Sequence, residues 1–142
     1  MTVLRRRHML AALAASALLP GRTLAARPTS RLVVVGGGFA GATLARFVKR
    51  LSPEIAVVLI EARDRYISCP MSNLVIAGQR SLAAQTFDYR GLEAAGIEVV
   101  RGVAVDVDAT TRRVRLQGGT SIDYDRLVLA PGVMFNFDRL SG

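Results

Sequence analysis

A glycine-rich stretch early in the chain has the spacing of a phosphate-binding loop. Residues 36–41 read GGGFAG and match the pattern G-x-G-x-x-G. In that pattern the first glycine, Gly36, permits a tight turn, and Gly38 lets the backbone approach a pyrophosphate with no Cβ in between. The last glycine, Gly41, lets the following helix pack closely on the preceding strand. The free N–H groups at the start of that helix then face the phosphates.

The residues around this loop supply the structural context that the pattern requires. The apolar run in Arg31–Val35 is expected of a parallel strand covered on both faces. A second apolar strand, Ile55–Ile60, ends at Glu61, 20 residues beyond Gly41. Between them Ala42–Leu51 has helical spacing, and it offers for burial Ala42, Leu44, Ala45, Phe47, Val48 and Leu51. Strand, turn, helix and strand make one βαβ unit, which predicts an α/β fold.

Glu61 is the residue at which this unit would select its ligand. A carboxylate at the end of the second strand accepts hydrogen bonds from the two ribose hydroxyls of an adenosine and repels a 2′-phosphate. The site is therefore predicted to prefer FAD or NAD over NADP. The alternative is a surface glutamate that caps a loop. Phe39 and Ala40 in the loop, and Ala62 after the carboxylate, complete the cofactor-binding residues predicted at this end of the site.

The second half of the chain predicts short elements. Residues 62–89 are less regular, Gly91–Ala95 reads as a short helix, and Ile97–Val100 reads as a third strand. Alternating residues with turns between them predict a three-stranded antiparallel meander, formed by Val103–Asp108, Arg113–Gln117 and Ile122–Tyr124. Leu127–Ala130 returns to a buried apolar run. The predicted fold is therefore a parallel sheet with a meander attached, incomplete within these residues.

Charge and residue counts exclude several classes of site. The chain carries a net charge of +8, and four arginines without acids in its first 26 residues leave +4 for the rest. The one basic cluster, in Arg112–Arg115, lies in an alternating stretch typical of a solvated face, so nucleic-acid binding is not expected. Cys69 is the only cysteine and His8 the only histidine. These counts exclude an internal disulfide, a multi-cysteine metal site and a histidine-based catalytic triad in the mature chain.

Residues 124–132, which read YDRLVLAPG, resemble the closing motif of the two-dinucleotide-domain flavoproteins. In that family an A-T-G or A-P-G turn passes close to the FAD, and a meander precedes it. The resemblance implies a Rossmann-like FAD-binding domain, with Ala130, Pro131 and Gly132 against the cofactor and Ala104 of the meander also in contact. The alternative is an ordinary buried strand followed by a Pro-Gly turn.

Residues 66–73, which read YISCPMSN, define the family more closely. They resemble the Y-x-x-C-x-x-S-N segment of the flavoprotein subunit of flavocytochrome c sulfide dehydrogenase, and the resemblance extends over residues 31–142. In that family a thioether joins the matching cysteine to the 8α-methyl carbon of the flavin, which implies this role for Cys69. Pro70 stands where an aromatic residue is expected. The alternative is a buried free thiol that behaves as a small hydrophobe.

The same resemblance implies an FAD-dependent oxidoreductase that oxidises sulfide and passes electrons to a cytochrome c subunit. The catalytic cysteines of that family lie beyond the matched stretch. We therefore expect residues 27–142 to be the N-terminal portion of an FAD-binding domain that binds FAD only partly, has no catalytic residue and does not turn over alone. Two other classes remain open. One is a sulfide:quinone or NADH:quinone type of flavoprotein that docks on a membrane, and the other is a truncated, non-catalytic remnant.

Residues 1–26 have the three-part layout of an export signal. A basic start at Arg5–Arg7 precedes an apolar run, Met9–Leu19, which is too short to span a bilayer, and Pro20–Ala26 ends in small residues. The arginines followed by His8 and Met9 resemble a twin-arginine signal, which exports proteins already folded. We therefore expect a periplasmic protein whose flavin is inserted before export. The alternatives are an ordinary secretory leader and an uncleaved amphipathic anchor.

Overall fold

Strands and helices alternate through the described part of the chain. The computed structural model describes residues 30–133, so the predicted export signal, residues 1–26, lies outside it. The strands are β1 (Arg31–Val35), β2 (Ala56–Glu61), β3 (Tyr66–Ile67), β4 (Thr86–Phe87), β5 (Glu98–Arg101), β6 (Ala104–Asp108), β7 (Arg113–Leu116), β8 (Ser121–Asp123) and β9 (Arg126–Leu129). The helices are α1 (Phe39–Leu51), α2 (Ser72–Ile76) and α3 (Arg90–Glu93), with a 3-10 turn at Leu82–Gln85.

Four strands form a parallel sheet in the order β5-β2-β1-β9. Val33 of β1 lies opposite Val58 of β2 on one side and Leu127 of β9 on the other. The chain builds outwards from β1 through β2 to β5 and then returns to the far side of β1. The strand order therefore reverses between β1 and β9, which is where open α/β sheets bind their ligands. The predicted Rossmann-like α/β fold is confirmed.

The sheet is covered on both faces, because the side chains of β1 and β2 point alternately into two core clusters. The cluster on the helix side contains Leu32, Val34, Ala45, Val57, Leu59, Tyr89, Leu92 and Ile97. The cluster on the meander side contains Val33, Val58, Ile60, Val114 and Leu116. A strand covered in this way needs the continuous apolar run that the sequence of β1 and β2 supplies.

The meander is present as predicted, but its valine face is not buried. Strands β6, β7 and β8 pair antiparallel with β7 in the centre. Val114 and Leu116 of β7 reach the core, whereas Val103, Val105 and Val107 are 37–50% exposed. The pairing register of β6 shifts between Ala104 and Asp106, and β6 is an edge strand, so its valines do not face the sheet.

The basic cluster of the meander lies on a solvated face, as the alternation indicates. Arg113 pairs with Asp123 at 2.6 Å and Arg115 with Asp106 at 3.2 Å, and all four side chains are more than half exposed. Exposed pairs of this kind contribute little to stability. Arg113 and Arg115 are thus paired with acidic neighbours on the same small sheet.

Helix α1 departs from its prediction at its N-terminal end and in the burial of two residues, whereas its last residue, Leu51, is the one predicted. It begins at Phe39, three residues before the predicted start, because Gly38 is its N-cap and the last half of the glycine loop is already the first helical turn. The burial predicted for Phe47 and Leu51 is wrong, since they are 50% and 64% exposed. Phe47 lies two residues after buried Ala45, about 200° round the helix, and Leu51 is the last helical residue.

The irregular stretch between β2 and α3 forms a small unit of its own. Strands β3 and β4 pair antiparallel, with Tyr66 opposite Phe87, and α2 and the 3-10 turn lie between them in sequence. Two-residue strands have no measurable periodicity, so alternation of apolar residues could not predict them.

Candidate functional site

The predicted parts of the site meet at the carboxyl ends of the parallel strands. The glycine loop follows β1, Glu61 ends β2, and Ala130 follows β9. The N–H of Ala130 donates to the carbonyl oxygen of Val35 at 2.8 Å, and the N–H of Gly36 donates to Ile60 at 2.8 Å. These bonds fasten the start of the loop to the neighbouring strand on each side.

Contacts within the chain account for two of the loop glycines. Gly36 has a φ of +99°, in the left-handed region that favours glycine, and a Cβ there would overlap the carbonyl oxygen of Ala130. A Cβ on Gly41 would overlap the carbonyl oxygen of Gly36 and lie 3.2 Å from Cγ1 of Val34. Glycine at both positions therefore lets the loop, α1 and the turn after β9 approach one another closely.

Gly38, unlike Gly36 and Gly41, faces open space. A Cβ on Gly38 would meet nothing nearer than Cε2 of Tyr66, at 3.8 Å. No side chain among residues 30–133 caps α1, and its first turn, which includes exposed Phe39 and Ala40, holds no acid. The first N–H groups of a helix lack intrahelical acceptors, and the helix dipole favours an anion near them. The start of α1 therefore fits a phosphate group.

Glu61 is fixed beside this helix start by backbone donors. Its Oε2 accepts from the N–H of Gly37 at 2.5 Å and its Oε1 from the N–H of Arg63 at 2.9 Å. Each carboxylate oxygen has a further lone pair, so both can still accept hydrogen bonds from ribose hydroxyls. The carboxylate is half-buried, and Ala62 after it is exposed.

Tyr89 supports the glycine loop from within the core, and no sequence pattern predicted it. Its side chain is 3% exposed, and its hydroxyl donates to the carbonyl oxygen of Gly37 at 3.1 Å. A Cβ on Gly37 would lie 2.6 Å from the Tyr89 ring, so the loop rests directly on this side chain. The one sequence signal was Gly37, a glycine at a position that the pattern leaves free.

Burial and the charge of Glu61 raise the pKa of Tyr89 to about 12, with burial the larger cause, while Arg101 acts in the opposite direction. The hydroxyl is therefore protonated at neutral pH and remains a donor to the loop. The guanidinium of Arg101 lies 4.7 Å from the centre of the Tyr89 ring and donates to the carbonyl oxygen of Arg63 at 3.3 Å. Arg101 thus connects Tyr89 with the segment that follows Glu61.

A groove of about 410 Å³ lies along the start of α1. Its walls are mainly apolar and consist of Gly37, Gly38, Phe39, Ala42, Thr43, Arg46, Tyr66, Ser68, Phe87 and Leu92. The rings of Phe39 and Tyr66 meet edge to face with their centres 5.2 Å apart. The groove therefore extends from the glycine loop to the β3–β4 unit.

Cys69 follows a residue that lines this groove. Ser68 is part of the wall, and Cys69 begins the turn between β3 and α2. Its side chain is exposed, so the alternative of a buried thiol does not describe it. Burial, and to a smaller extent the charge of Cys69, raise the pKa of Tyr66, which also lines the groove.

The remaining predicted cofactor-binding residues do not line the groove. Pro131 and Gly132 follow Ala130 and are exposed. Ala104 does not line the groove, because it lies in β6 and packs against the meander-side core. Contacts of these residues with a cofactor stay predictions.

The part of the chain that the structure describes shows neither a candidate metal site nor a candidate membrane-spanning helix. Residues 30–133 contain no group of three or more side chains that could hold a metal ion. Within the same residues no helix is long and apolar enough to cross a membrane.

The reversal of strand order, the uncapped helix start behind a glycine loop and the carboxylate at the end of β2 together define a dinucleotide-binding domain. The family model described as pyridine nucleotide-disulphide oxidoreductase matches residues 30–140. The chain belongs to this family.

Three similar proteins indicate which members of this family the chain resembles. The flavoprotein chain of sulfide dehydrogenase (flavocytochrome c) from Chlorobaculum thiosulfatiphilum is 49% identical over 47 residues, which are 33% of this chain and 98% of that one. Mitochondrial sulfide:quinone oxidoreductase of Mus musculus is 24% identical over 122 residues, 86% of this chain and 27% of that protein. The X-ray structure of sulfide:quinone oxidoreductase from Aquifex aeolicus matches with a TM-score of 0.73 and 28% identity, over 77% of this chain and 26% of that one. The chain thus spans about a quarter of the last two proteins.

These relatives are FAD-dependent oxidoreductases, and they imply FAD as the cofactor. The residues present fit that group. The open space before Gly38 and the free helix start suit its pyrophosphate, and the unused lone pairs of Glu61 suit its adenosine ribose. The apolar groove beside them suits an aromatic ligand.

Proposed function

We propose that this chain provides the adenosine and pyrophosphate end of the FAD site in a flavoprotein that oxidises sulfide and passes electrons to a cytochrome c. The observation that carries the proposal is Cys69. It is an exposed thiol directly after a wall residue of the groove that starts at the glycine loop. The similarity to the Chlorobaculum sulfide dehydrogenase flavoprotein supports the same choice of substrate and acceptor.

The residues of this chain bind and orient, while the cofactor supplies the redox chemistry. FAD would supply two-electron oxidation of the substrate and one-electron transfer to a haem. The N–H groups at the start of α1 would hold its pyrophosphate, and Glu61 would hold its ribose. Tyr89 holds Gly37, whose N–H donates to Glu61, so that the carboxylate would be kept in position for the ribose.

Cys69 would bind the flavin covalently through a thioether to its 8α carbon. Formation of this link breaks the S–H bond of Cys69 and one C–H bond of the 8α-methyl group, and it forms one S–C bond. Two protons leave, and the two electrons pass into the flavin itself, from which dioxygen or the natural acceptor removes them. A covalent link keeps the cofactor from diffusing away in an exported protein.

Acid precipitation of the complete gene product tests the thioether. Yellow fluorescence should stay with the precipitated wild-type protein and should be lost from the precipitate of Cys69→Ala. The native Cys69→Ala protein should still contain FAD, because the loop and Glu61 are unchanged. Release of free flavin from the wild-type precipitate would contradict the covalent link while leaving the FAD site intact.

Quinone reduction is the second candidate, since two of the similar proteins are sulfide:quinone oxidoreductases. The two functions separate when the complete gene product is given sulfide with either a cytochrome c or a short-chain ubiquinone. We expect cytochrome c to be reduced at the higher rate. Faster reduction of the quinone, with increased activity on liposomes, would assign the protein to the second class.

Export through the twin-arginine route is part of the proposal. It is supported by the order of basic, apolar and small residues in residues 1–26, and by the need to insert the flavin in the cytoplasm before translocation. An exported cytochrome c partner would also be in the periplasm.

A further inference from the structure

Apart from Tyr89, Gln85 is the one hydrogen-bonding side chain that is buried among the described residues, with 2% of its surface exposed. It ends the 3-10 turn immediately before β4, and β4 pairs with β3, the strand that leads to Cys69. Its side-chain amide nitrogen donates to the carbonyl oxygens of both Ser68 and Pro70, each at 3.0 Å. These are the residues immediately before and after Cys69.

Backbone bonds complete the attachment of this segment. The N–H of Ser68 donates to the backbone carbonyl oxygen of Gln85 at 2.9 Å, and the N–H of Ser72 donates to the carbonyl oxygen of Cys69 at 3.1 Å. Met71, between them, has a φ of +66°, in the left-handed region. The turn that carries Cys69 is thus held on three successive carbonyl oxygens, two of them by Gln85.

The orientation of the Gln85 amide has no favourable alternative. Its nitrogen carries two hydrogens, and each has a carbonyl acceptor. Turning the amide over would place its Oε1 against the same two carbonyl oxygens. In the observed orientation Oε1 is buried and has no hydrogen-bond partner among the described residues. A buried oxygen without a hydrogen-bond partner costs free energy. The side chain therefore makes its two bonds to the Cys69 turn while its oxygen makes none.

We propose that Gln85 is a positioning residue for the flavin link, in that it fixes the turn so that Sγ of Cys69 is presented to the 8α carbon of bound FAD. This inference rests on the thioether proposed above. The amide holds the peptide groups on both sides of Cys69 and leaves its side chain as the free, exposed part of the turn. Covalent steps depend strongly on such placement of the reacting atoms.

The Gln85→Met substitution tests this role, because methionine has nearly the same length and no donor. The complete gene product, obtained without flavin from riboflavin-limited cells, is mixed with increasing FAD, and acid-stable flavin is followed with time. The maximal rate of attachment should fall roughly tenfold to a hundredfold. The FAD concentration for half-maximal rate should stay within about twofold, since the loop and Glu61 lie outside the changed contact. Gln117→Met, the same change on an exposed residue of the meander, should behave as wild type.

Alkylation by iodoacetamide of Cys69 in the flavin-free protein is the second measurement. A small reagent needs no defined approach, so its rate should change by less than about threefold in Gln85→Met while flavin attachment slows much more. If circular dichroism shows that Gln85→Met does not fold, Gln85→Asn, which keeps the amide but shortens its reach, is measured in the same way.

The outcomes separate this inference from the one on which it rests. No acid-stable flavin in the wild type overturns the thioether and the role of Gln85 together. Wild-type attachment with an unchanged maximal rate in the Gln85 variants overturns the role of Gln85 alone. A raised half-saturating FAD concentration with an unchanged maximal rate does the same, because it assigns Gln85 to the fold of the binding site.

Discussion

At the scale of single residues, the site depends on side chains that no motif contains. The loop pattern and the acid predict which groups touch the ligand, but Tyr89 holds Gly37 in place and Gln85 holds the Cys69 turn in place. Both are buried, and both donate to backbone carbonyl oxygens 15 to 52 residues away, Tyr89 to one and Gln85 to two. Their types are common in any core or loop, so only the fold reveals what they hold.

Removal of the Tyr89 hydroxyl is predicted to change how stability depends on pH. The pKa of Tyr89 is about 12 in the folded chain and 10.0 by its ordinary value, so the unfolded chain loses this proton first as pH rises. The stabilisation is complete below pH 10 and is lost between about pH 10 and 12. Tyr89→Phe should be less stable by about 1 kcal/mol at neutral pH and should lose less stability than wild type across that range.

Urea unfolding at pH 7, 9, 10 and 11 measures this difference. Tyr124→Phe, on a half-buried tyrosine beside the meander-side core, is the matched control and should keep the wild-type pH dependence. Parallel pH profiles for wild type and Tyr89→Phe would contradict the assignment.

At the scale of elements, the important contact is between the glycine loop, α1 and the turn after β9. Gly36 meets Ala130, and Gly41 meets the carbonyl oxygen of Gly36, so three elements share one point of closest approach. Strand–loop–helix order follows from the sequence, but the approach of β9 depends on its pairing with β1.

The Gly41→Ala substitution is predicted to destabilise the chain because its Cβ has no room. An added methyl that overlaps a backbone carbonyl must push α1 away from β1, which costs about 1–3 kcal/mol or more. Gly91→Ala is the matched control, since it also lies in a helix and a Cβ there would meet nothing within 4 Å. It should be neutral or stabilising by up to about 1 kcal/mol. Equal urea midpoints for the two variants would show that the contact at Gly41 is not tight.

At the scale of the whole molecule, the described part is a sheet between a helix layer and a meander, with apolar surface left open around the site. In the described residues β9 has a paired strand on one side only. Leu129 on it is 60% exposed, Val133 beyond it 90% and Ile76 of α2 87%. A one-sided strand edge with exposed apolar side chains is a surface on which other chains assemble.

The 142-residue chain expressed alone is therefore predicted to self-associate. Leu129→Lys should shift it towards the monomer, because a charge on an edge strand opposes pairing with a second copy. Light scattering during gel filtration measures the change, and Thr120→Lys, on an exposed turn of the meander, adds the same charge as a control. Equal effects of the two lysines would attribute the result to net charge and contradict a role for the edge.

The sequence by itself determined the local part of this protein. Glycines at fixed spacing, a continuous apolar strand before them and an acid at the end of the next strand act within one βαβ unit, so their meaning does not depend on distant residues. The tertiary structure decided the rest. Gly36 lies against Ala130 only because β9 pairs with β1, Tyr89 lies beneath Gly37 only because α3 packs on the sheet, and Gln85 reaches both sides of Cys69 only because β4 pairs with β3. Contacts between residues far apart in the chain form when strands become neighbours. The spacing of residues along the sequence does not indicate which strands will do so.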